Sequence, residues 1–465
     1  MFQLRKLLDD YSPIERLASE LMAVVPLSKR LGSRFWEWYA FFQESEAWSL
    51  EQVREFQFSR LRDLLLELAA TSKFYRGRLE GVNIEEITSL EAFRARVPTL
   101  AKSEFRNNYE DIFGSSHQSK KLVDAQTSGT TGMAIQFHHL AKDHAREWAA
   151  ICHQWKRVGY SPGTSRRAEF RGLTSPGRLV ELHPHQNMMR CSILHLRKPQ
   201  VVYYADRIRD AKMEFYHGYP SALYLLASEI LSGNVEFPQP RGVLLASESV
   251  YDWQVARIQE AFPKARIFAH YGCAERTALA GWCEYRREYH VLPQYGLLEI
   301  DDKTSEIVGT NLFNAVNGFV RYRMTDTVAR VDHAPCPDCH RPYTPRLIEL
   351  GGRTEDYLFS PANGWIPPAI VTYPLKSLRT IREVQFVQRE RDEICVRYAV
   401  ISREAGVPER ADGALERELE QLGAGLRDLF GADMRFKFEA VGEFERGATG
   451  KFKWIVCELE EGPAR

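Results

Sequence analysis

Thr127, Ser128, Gly129, Thr130, Thr131 and Gly132 run without interruption behind Gln126. These residue types in one stretch suit the binding of an anion. Glycines let the backbone turn through positive φ and approach a ligand closely. Successive N–H groups then form a concave nest, and the hydroxyls add donors. The stretch reads as a phosphate cradle; its plain alternative is a surface loop rich in turn formers. No Gly-Lys-Ser/Thr follows, so it is not a P-loop of the strand–loop–helix class.

Further polar groups follow in order. Tyr271, Gly272 and Glu275 lie in one short run, with an aromatic ring suited to stack on a base and a carboxylate suited to hold Mg²⁺ near phosphates. Asp326 is an acid suited to accept hydrogen bonds from ribose hydroxyls. Arg353, Glu355 and Asp356 follow glycines, and Lys451 lies behind Gly447 and Gly450. Any one of these side chains alone is an ordinary solvated surface group. Their value is in their order.

Cys336 and Cys339 have the C-x₂-C spacing of a zinc knuckle. Cys283 and His290 offer the other half of a Cys₃His set, with Cys273, His333 and His340 as rival ligands. The alternative is a set of buried thiols and a surface histidine. A redox pair is disfavoured because a thioredoxin-like setting is absent.

The elements that must position these groups are legible in outline. The chain has 465 residues, 44% of them hydrophobic and 27% charged, which suits a globular protein of two or three domains. Lys+Arg and Asp+Glu are both 62, so charge gives no argument for nucleic acid or an anionic membrane. No apolar run is long enough to span a bilayer, the first ten residues mix charges into the apolar positions, and the cysteines are mostly scattered. A cytoplasmic protein is the expectation.

Residues 1–75 read as helical, punctuated by Pro26 and Gly32. The aromatic run 34–42 is expected to dock on the main body, with a membrane-surface helix as the alternative. The cradle is expected between two strands, with a cap at Thr99 or Ser103 upstream and a helix over 143–158 downstream. Strands near 165–172, 213–217, 242–246 and 265–270 alternate with helices over 221–231 and 252–262, capped by Ser221 and Asp252. That alternation predicts an α/β fold with a parallel sheet, whose ligands collect at the carboxyl ends of the strands. Segments 295–300, 319–323 and 327–331 suggest a small antiparallel or barrel-like part. The expected division is a helical segment 1–75, a large domain 76–352, and a small α+β domain 353–465. Phe170, Tyr216, His217, Tyr219 and Ser247 are candidates to line a substrate pocket.

Taken together, the ordered motifs resemble the adenylate-forming superfamily of acyl- and aryl-CoA synthetases, adenylation domains and luciferases. The likeness is greatest to the phenylacetate-CoA ligase branch and its relatives linked to capsular polysaccharide biosynthesis. Phe35-Trp-Glu-Trp-Tyr39 and Val97-Pro-Thr-Leu-Ala-Lys102 share it. The resemblance implies a large ATP- and acyl-binding domain with a small mobile C-terminal domain. It implies that residues 127–132 bind phosphates, Tyr271 packs near adenine and Glu275 binds Mg²⁺. It assigns Asp326 and Arg353 to the ribose, Glu355 and Asp356 to the hinge, and Lys451 to adenylation. Members of this branch can carry a zinc at the knuckle, which supports a structural Zn²⁺ on Cys283, His290, Cys336 and Cys339.

The implied activity joins a small carboxylic acid to a thiol, CoA, at the expense of ATP. Rival readings pass the acyl group to a carrier protein or an envelope glycan, or make the chain a non-catalytic zinc-stiffened scaffold. Two departures bear on this choice: Ala274 stands where the motif has Thr, and no Gly precedes Asp326. A lost hydrogen bond to a charged group costs about 1.5–3 kcal/mol, which slows such a site without abolishing it. The acid is not named by any residue, and the oligomeric state, a homodimer included, is left open.

Overall fold

The computed structural model describes the chain apart from residues 1–20, 22–23, 114–120, 128–134, 172–173, 175–176, 194–195, 197, 249, 251, 344, 351–356, 367, 372–373, 376–377, 379, 401–412, 443, 445–454 and 460–465. The expectations placed on Ser128, Gly129, Thr130, Thr131, Gly132, Arg353, Glu355, Asp356 and Lys451 therefore lie outside the described residues. The chain forms two compact units, Met1–Ala125 with Phe137–Arg353, and Gln126–Gln136 with Thr354–Arg465.

The first unit opens on helices. Ser49 caps the helix Leu50–Thr71 in a capping box: Gln52 N donates to Ser49 Oγ at 3.2 Å and Ser49 N donates to Gln52 Oε1 at 2.8 Å. Val53, Leu61, Leu64, Leu65 and Leu68 form its buried stripe. The aromatic helix Ser33–Ser45 buries Phe35, Tyr39 and Phe42 and packs on the helix Asp143–Trp155. Phe42 stacks on His153 with ring centroids 6.1 Å apart, and Trp38 meets Phe313 edge-on at 5.2 Å. Its aromatics thus serve docking onto the body of the unit. No described helix is long and apolar enough to cross a membrane.

β1 (Leu122–Gln126) and β2 (Gln136–Leu140) make a small two-stranded sheet flanking the cradle segment, as the strand–loop–strand reading expects. The main sheet is built from β3 (Arg167–Phe170), β4 (Val180–His183), β5 (Met188–Cys191), β6 (Phe215–Gly218), β7 (Gly242–Ala246), β8 (Arg266–Gly272), β9 (Leu279–Trp282), β10 (Tyr289–Val291), β11 (Leu297–Ile300), β12 (Glu306–Thr310), β13 (Tyr322–Asp332) and β14 (Arg346–Leu350). Its order is β11-β12-β13-β14-β10-β9-β8-β7-β6-β3-β5-β4. Strands β5, β3, β6, β7 and β8 run parallel, and the rest pair antiparallel. Every residue of β7, Gly-Val-Leu-Leu-Ala, is buried, as a parallel strand covered on both faces requires.

The structure corrects the sequence reading in three places. The β segments after residue 295 are antiparallel, as expected, but they continue the main sheet rather than close a barrel, and the last two join in β13, whose first half pairs with β12 and second half with β14. The caps differ: Ala101 and Tyr219 hold the N-cap positions of helices Lys102–Asn107 and Pro220–Gly233, without side-chain cap bonds. Pro220 supplies the helical φ at the first turn instead. The antiparallel edge β4–β5 and the helix Lys198–Asp210 carry weak sequence signals and add to the expected elements.

The second unit is α+β and includes an antiparallel pair, β15 (Leu358–Ser360) and β16 (Gly364–Ile366). Its four-stranded sheet has the order β19-β18-β17-β20, from β17 (Ile381–Glu390), β18 (Glu393–Val400), β19 (Arg435–Ala440) and β20 (Ile455–Cys457). β17 and β18 form an antiparallel pair, while β20 and β19 add in parallel. Helix Ala414–Phe430 buries Leu422, Leu426, Leu429 and Phe430, and Phe430 meets Phe436 edge-on at 5.7 Å.

Candidate active site

The neck of the cradle is described even though its centre is not. Thr127 N donates to the Ile135 carbonyl at 3.1 Å, and Ile135 N donates back to Thr127 Oγ1 at 3.1 Å. This reciprocal pair holds the two ends of the segment side by side.

In the first unit the site residues gather at the carboxyl end of β8. Tyr271 is the penultimate residue of β8, and its hydroxyl donates to Asp326 Oδ2 at 2.9 Å. Asp326 lies on β13 between Arg323, which pairs with β12, and Val328, which pairs with β14. The turn after β8 is held from below. Thr277 is fully buried; its Oγ1 lies 3.3 Å from Cys273 Sγ and 3.0 Å from Met324 Sδ. Gly296 and Gly309 make that packing possible, because a Cβ at either would overlap the Thr277 backbone or side chain. Asn311 Nδ2 donates to the Glu275 carbonyl at 3.1 Å, and Glu275 is itself buried. Two strands and one buried threonine thus fix Tyr271, Glu275 and Asp326 relative to one another.

Burial, then the Glu275 carboxylate, push the Cys273 thiol up to about 12. At neutral pH it is a protonated thiol, unsuited to serve as nucleophile or metal ligand.

The five acyl candidates do not share one wall. Phe170 and Tyr216 are on the same face of the sheet, with ring centroids 5.9 Å apart, and Tyr216 packs on Phe237 and Phe262. Side chains alternate along a strand, so His217 faces the other side. There it meets Trp155 edge-on at 4.7 Å and lies 3.4 Å from Glu169. Ser247 follows β7 with φ +72, and Tyr219 holds the N-cap position beyond β6. A single pocket can therefore use His217 or Tyr216, not both.

The His217 face carries buried groups that sequence reasoning missed. Glu169 accepts from Arg190 Nε at 3.2 Å and Nη2 at 3.1 Å. Burial opposes its charge, but the His217 hydrogen bond and the Arg171 and Arg167 guanidinium groups hold it well below the usual carboxylate range. Burial brings His217 down to about 4 despite Glu169, and His270 to about 3. A carboxylate therefore faces neutral imidazoles here at pH 7. The alternation of strands and helices pointed to this sheet, but no spacing links Glu169, His217 and His270, which come from three separate strands.

The cysteine cluster also assembles. The ligand atoms of Cys283, His290, Cys336 and Cys339 all lie within 4.8 Å of one another. Cys283 Sγ is 3.9 Å from Cys336 Sγ, and Cys339 Sγ is 3.8 Å from His290 Nε2. A tetrahedral zinc with bonds of about 2.0–2.3 Å sets its ligands at similar separations, so the donor set fits Zn²⁺. The rivals Cys273, His333 and His340 fall outside this group among the described residues. Beside it, Arg341 grips Glu284 with both terminal nitrogens at 2.6 Å and reaches Glu46 at 2.9 Å, tying the knuckle to the N-terminal helices.

No family model matches the chain. It is 22% identical over 423 residues to Protein CapK of Staphylococcus aureus, covering 87% of this chain and 89% of that protein. Its fold matches 2-hydroxyisobutyryl-CoA ligase in complex with 2-HIB-AMP and CoA in the thioesterification state. There the TM-score is 0.57 at 19% identity, over 89% of this chain and 91% of the other. The chain has the fold of this ligase. The same ligase in its postadenylation state, bound to R3-HIB-AMP, matches with a TM-score of 0.50 at 18% identity, over 87% and 89% of the two chains. The similarity to CapK agrees with the resemblance to capsule-linked relatives of the phenylacetate-CoA ligase branch.

Proposed function

We propose that this chain activates a carboxylic acid with ATP as an acyl-adenylate and transfers the acyl group to a thiol, CoA. The observation that carries the reading is the Tyr271–Asp326 hydrogen bond beside buried Glu275, at the carboxyl end of a parallel strand. The 2-hydroxyisobutyryl-CoA ligase complexes, with their AMP conjugates and CoA, support it through the shared fold.

A carboxylate is a poor electrophile because its leaving group would be an oxide. Its attack on the α-phosphorus of ATP expels pyrophosphate and gives a mixed anhydride with a good leaving group. A thiol then attacks the carbonyl and expels AMP. Two anions must first be brought together, so fixed donors and positive charge dominate catalysis. In this reading Tyr271 packs beside adenine, Asp326 and Arg353 hold the ribose, and residues 127–132 cradle the phosphates. Lys451 neutralises the carboxylate and phosphate charge. Mg²⁺ held by Glu275 would supply further charge to the phosphates. Rotation of the C-terminal unit about Glu355 and Asp356 would withdraw Lys451 before thiol attack. Zn²⁺ on the cysteine cluster would be structural.

Pyrophosphate exchange with a panel of carboxylic acids tests the first step. The wild type should exchange with at least one acid, and Lys451→Ala should lose at least about a hundredfold. Full exchange in that variant overturns the mechanism. Adding CoA, or a phosphopantetheinylated carrier protein, then shows which thiol accepts the acyl group.

A further inference from the structure

The loop between β12 and β13 carries Asn311, Asn314 and Asn317, and all three are at most 1% exposed. A buried loop must find partners for its polar groups. Asn314 does so locally, its Oδ1 accepting from Val316 N at 2.8 Å. Asn311 and Asn317 reach two other segments. Asn311 Nδ2 donates to the Glu275 carbonyl at 3.1 Å, while its Oδ1 accepts from Phe313 N at 3.1 Å. Asn317 grips β2: its Oδ1 accepts from His138 N at 3.2 Å, and its Nδ2 donates to the His138 carbonyl at 2.6 Å. A side-chain amide carries a donor and an acceptor side by side, so Asn317 exchanges two bonds with β2 as a residue of a neighbouring strand would. The His138 ring is held too, with Tyr109 Oη 2.6 Å from its Nδ1 and the ring planes 16° apart. Asn311 N closes the base of the loop by donating to the Phe319 carbonyl at 2.9 Å.

β2 is the strand that leaves the cradle segment, and His138 follows closely on Ile135. One loop therefore bonds at one end to the turn that carries Glu275 and at the other to the strand that follows residues 127–132. The adenylation reading assigns those two places to Mg²⁺ and to the phosphates of ATP. Attack at phosphorus needs the metal ligand and the phosphate donors in register, and a misplacement of about 1 Å costs about a hundredfold.

We propose that Asn311 and Asn317 are positioning residues, which fix the Glu275 turn and the exit strand of the cradle to one loop so that Mg²⁺ and the ATP phosphates meet in register. The inference rests on the adenylation reading above and adds two residues to it, which act through Glu275 and the cradle rather than on the substrates. Their effects are separable, because each amide serves a different ligand. Releasing Asn317 frees the cradle strand and loosens the hold on the phosphates. Releasing Asn311 frees the turn and shifts the carboxylate that would hold Mg²⁺.

The test is pyrophosphate exchange with an acid the wild type accepts. Asn317→Ala and Asn311→Ala leave room for water beside the backbone groups they release. Asn317→Ala should raise the KM for ATP by about tenfold, and Asn311→Ala should raise the Mg²⁺ concentration for half-maximal exchange by about fivefold or more. The KM for the carboxylic acid should stay within about twofold of the wild type in both variants. A loop that serves stability alone would lower the folded fraction and the maximal rate and leave all three constants unmoved. That result overturns the proposal, as does an equal rise in all three, and either leaves the adenylation reading intact. Where a variant fails to fold, the wild type decides: residue-resolved hydrogen exchange should find the His138 amide protected by about a hundredfold or more before ATP is added, and rapid exchange in the free enzyme overturns the proposal. No pyrophosphate exchange by the wild type with any acid overturns the adenylation reading, and this inference with it.

Discussion

Tyr271 donates its phenolic hydrogen to Asp326, joining the end of a parallel strand to the irregular stretch of β13 between Arg323 and Thr327, where its pairing with β12 shifts register. The bond sets both side chains of the proposed nucleoside site with one contact. It also makes them dependent on each other.

Removing that bond should weaken nucleotide binding. Tyr271→Phe keeps the ring and loses the donor, and a hydrogen bond to a charged acceptor contributes about 1.5–3 kcal/mol. The dissociation constant for ATP, measured by titration calorimetry, should rise by about tenfold or more. An unchanged constant would show that the bond does not shape the nucleotide site.

The turn carrying Glu275 depends on the space left by Gly296. A Cβ there would overlap the Thr277 carbonyl, which is backbone and cannot swing aside. Gly296→Ala should destabilise the first unit by about 1–3 kcal/mol in denaturant titrations and lower exchange activity in the protein that remains folded. Wild-type stability and activity together would refute the packing argument.

Metal content is directly measurable. Protein purified without added zinc should carry close to one equivalent, and a strong chelator should lower its thermal midpoint, because ligand binding to the native state stabilises it. Cys336→Ser should lose the metal. Less than about a tenth of an equivalent in the wild type would return the cluster to ordinary buried thiols.

Acid should destabilise the fold before the carboxylates titrate. His139, His153 and His217 are held near 4 and His270 near 3, chiefly by burial. Their ordinary value is about 6.5. Above pH 6.5 they are neutral whether folded or unfolded. As pH falls from 6.5 towards 4, the unfolded chain takes up protons that the native state refuses. Stability is lost through that window, at up to about 1.4 kcal/mol per pH unit for each histidine. Denaturant midpoints at pH 7.5, 6.0 and 5.0 should fall progressively; a flat profile would mean these rings are solvated.

The motifs were legible because each is short and local. Tyr271, Gly272 and Glu275 lie within five residues, and the cysteine pair has a spacing that only a few chemistries use. The α/β alternation followed from strands such as Gly242–Ala246, whose unbroken apolar run signals burial on both faces. The sequence by itself therefore determined the fold class, the residues to watch near β8 and the four candidate metal ligands. Only the tertiary structure decided which residues meet. It placed Tyr216 and His217 on opposite faces, because neighbours on a strand cannot share one. It merged the β segments near residues 295–331 into the main sheet, because pairing partners are chosen across distances that no local pattern encodes. It set Arg276 against Glu147 and His139 against the Ala274 backbone, contacts between segments more than a hundred residues apart. Those contacts exist only once the segments are folded together.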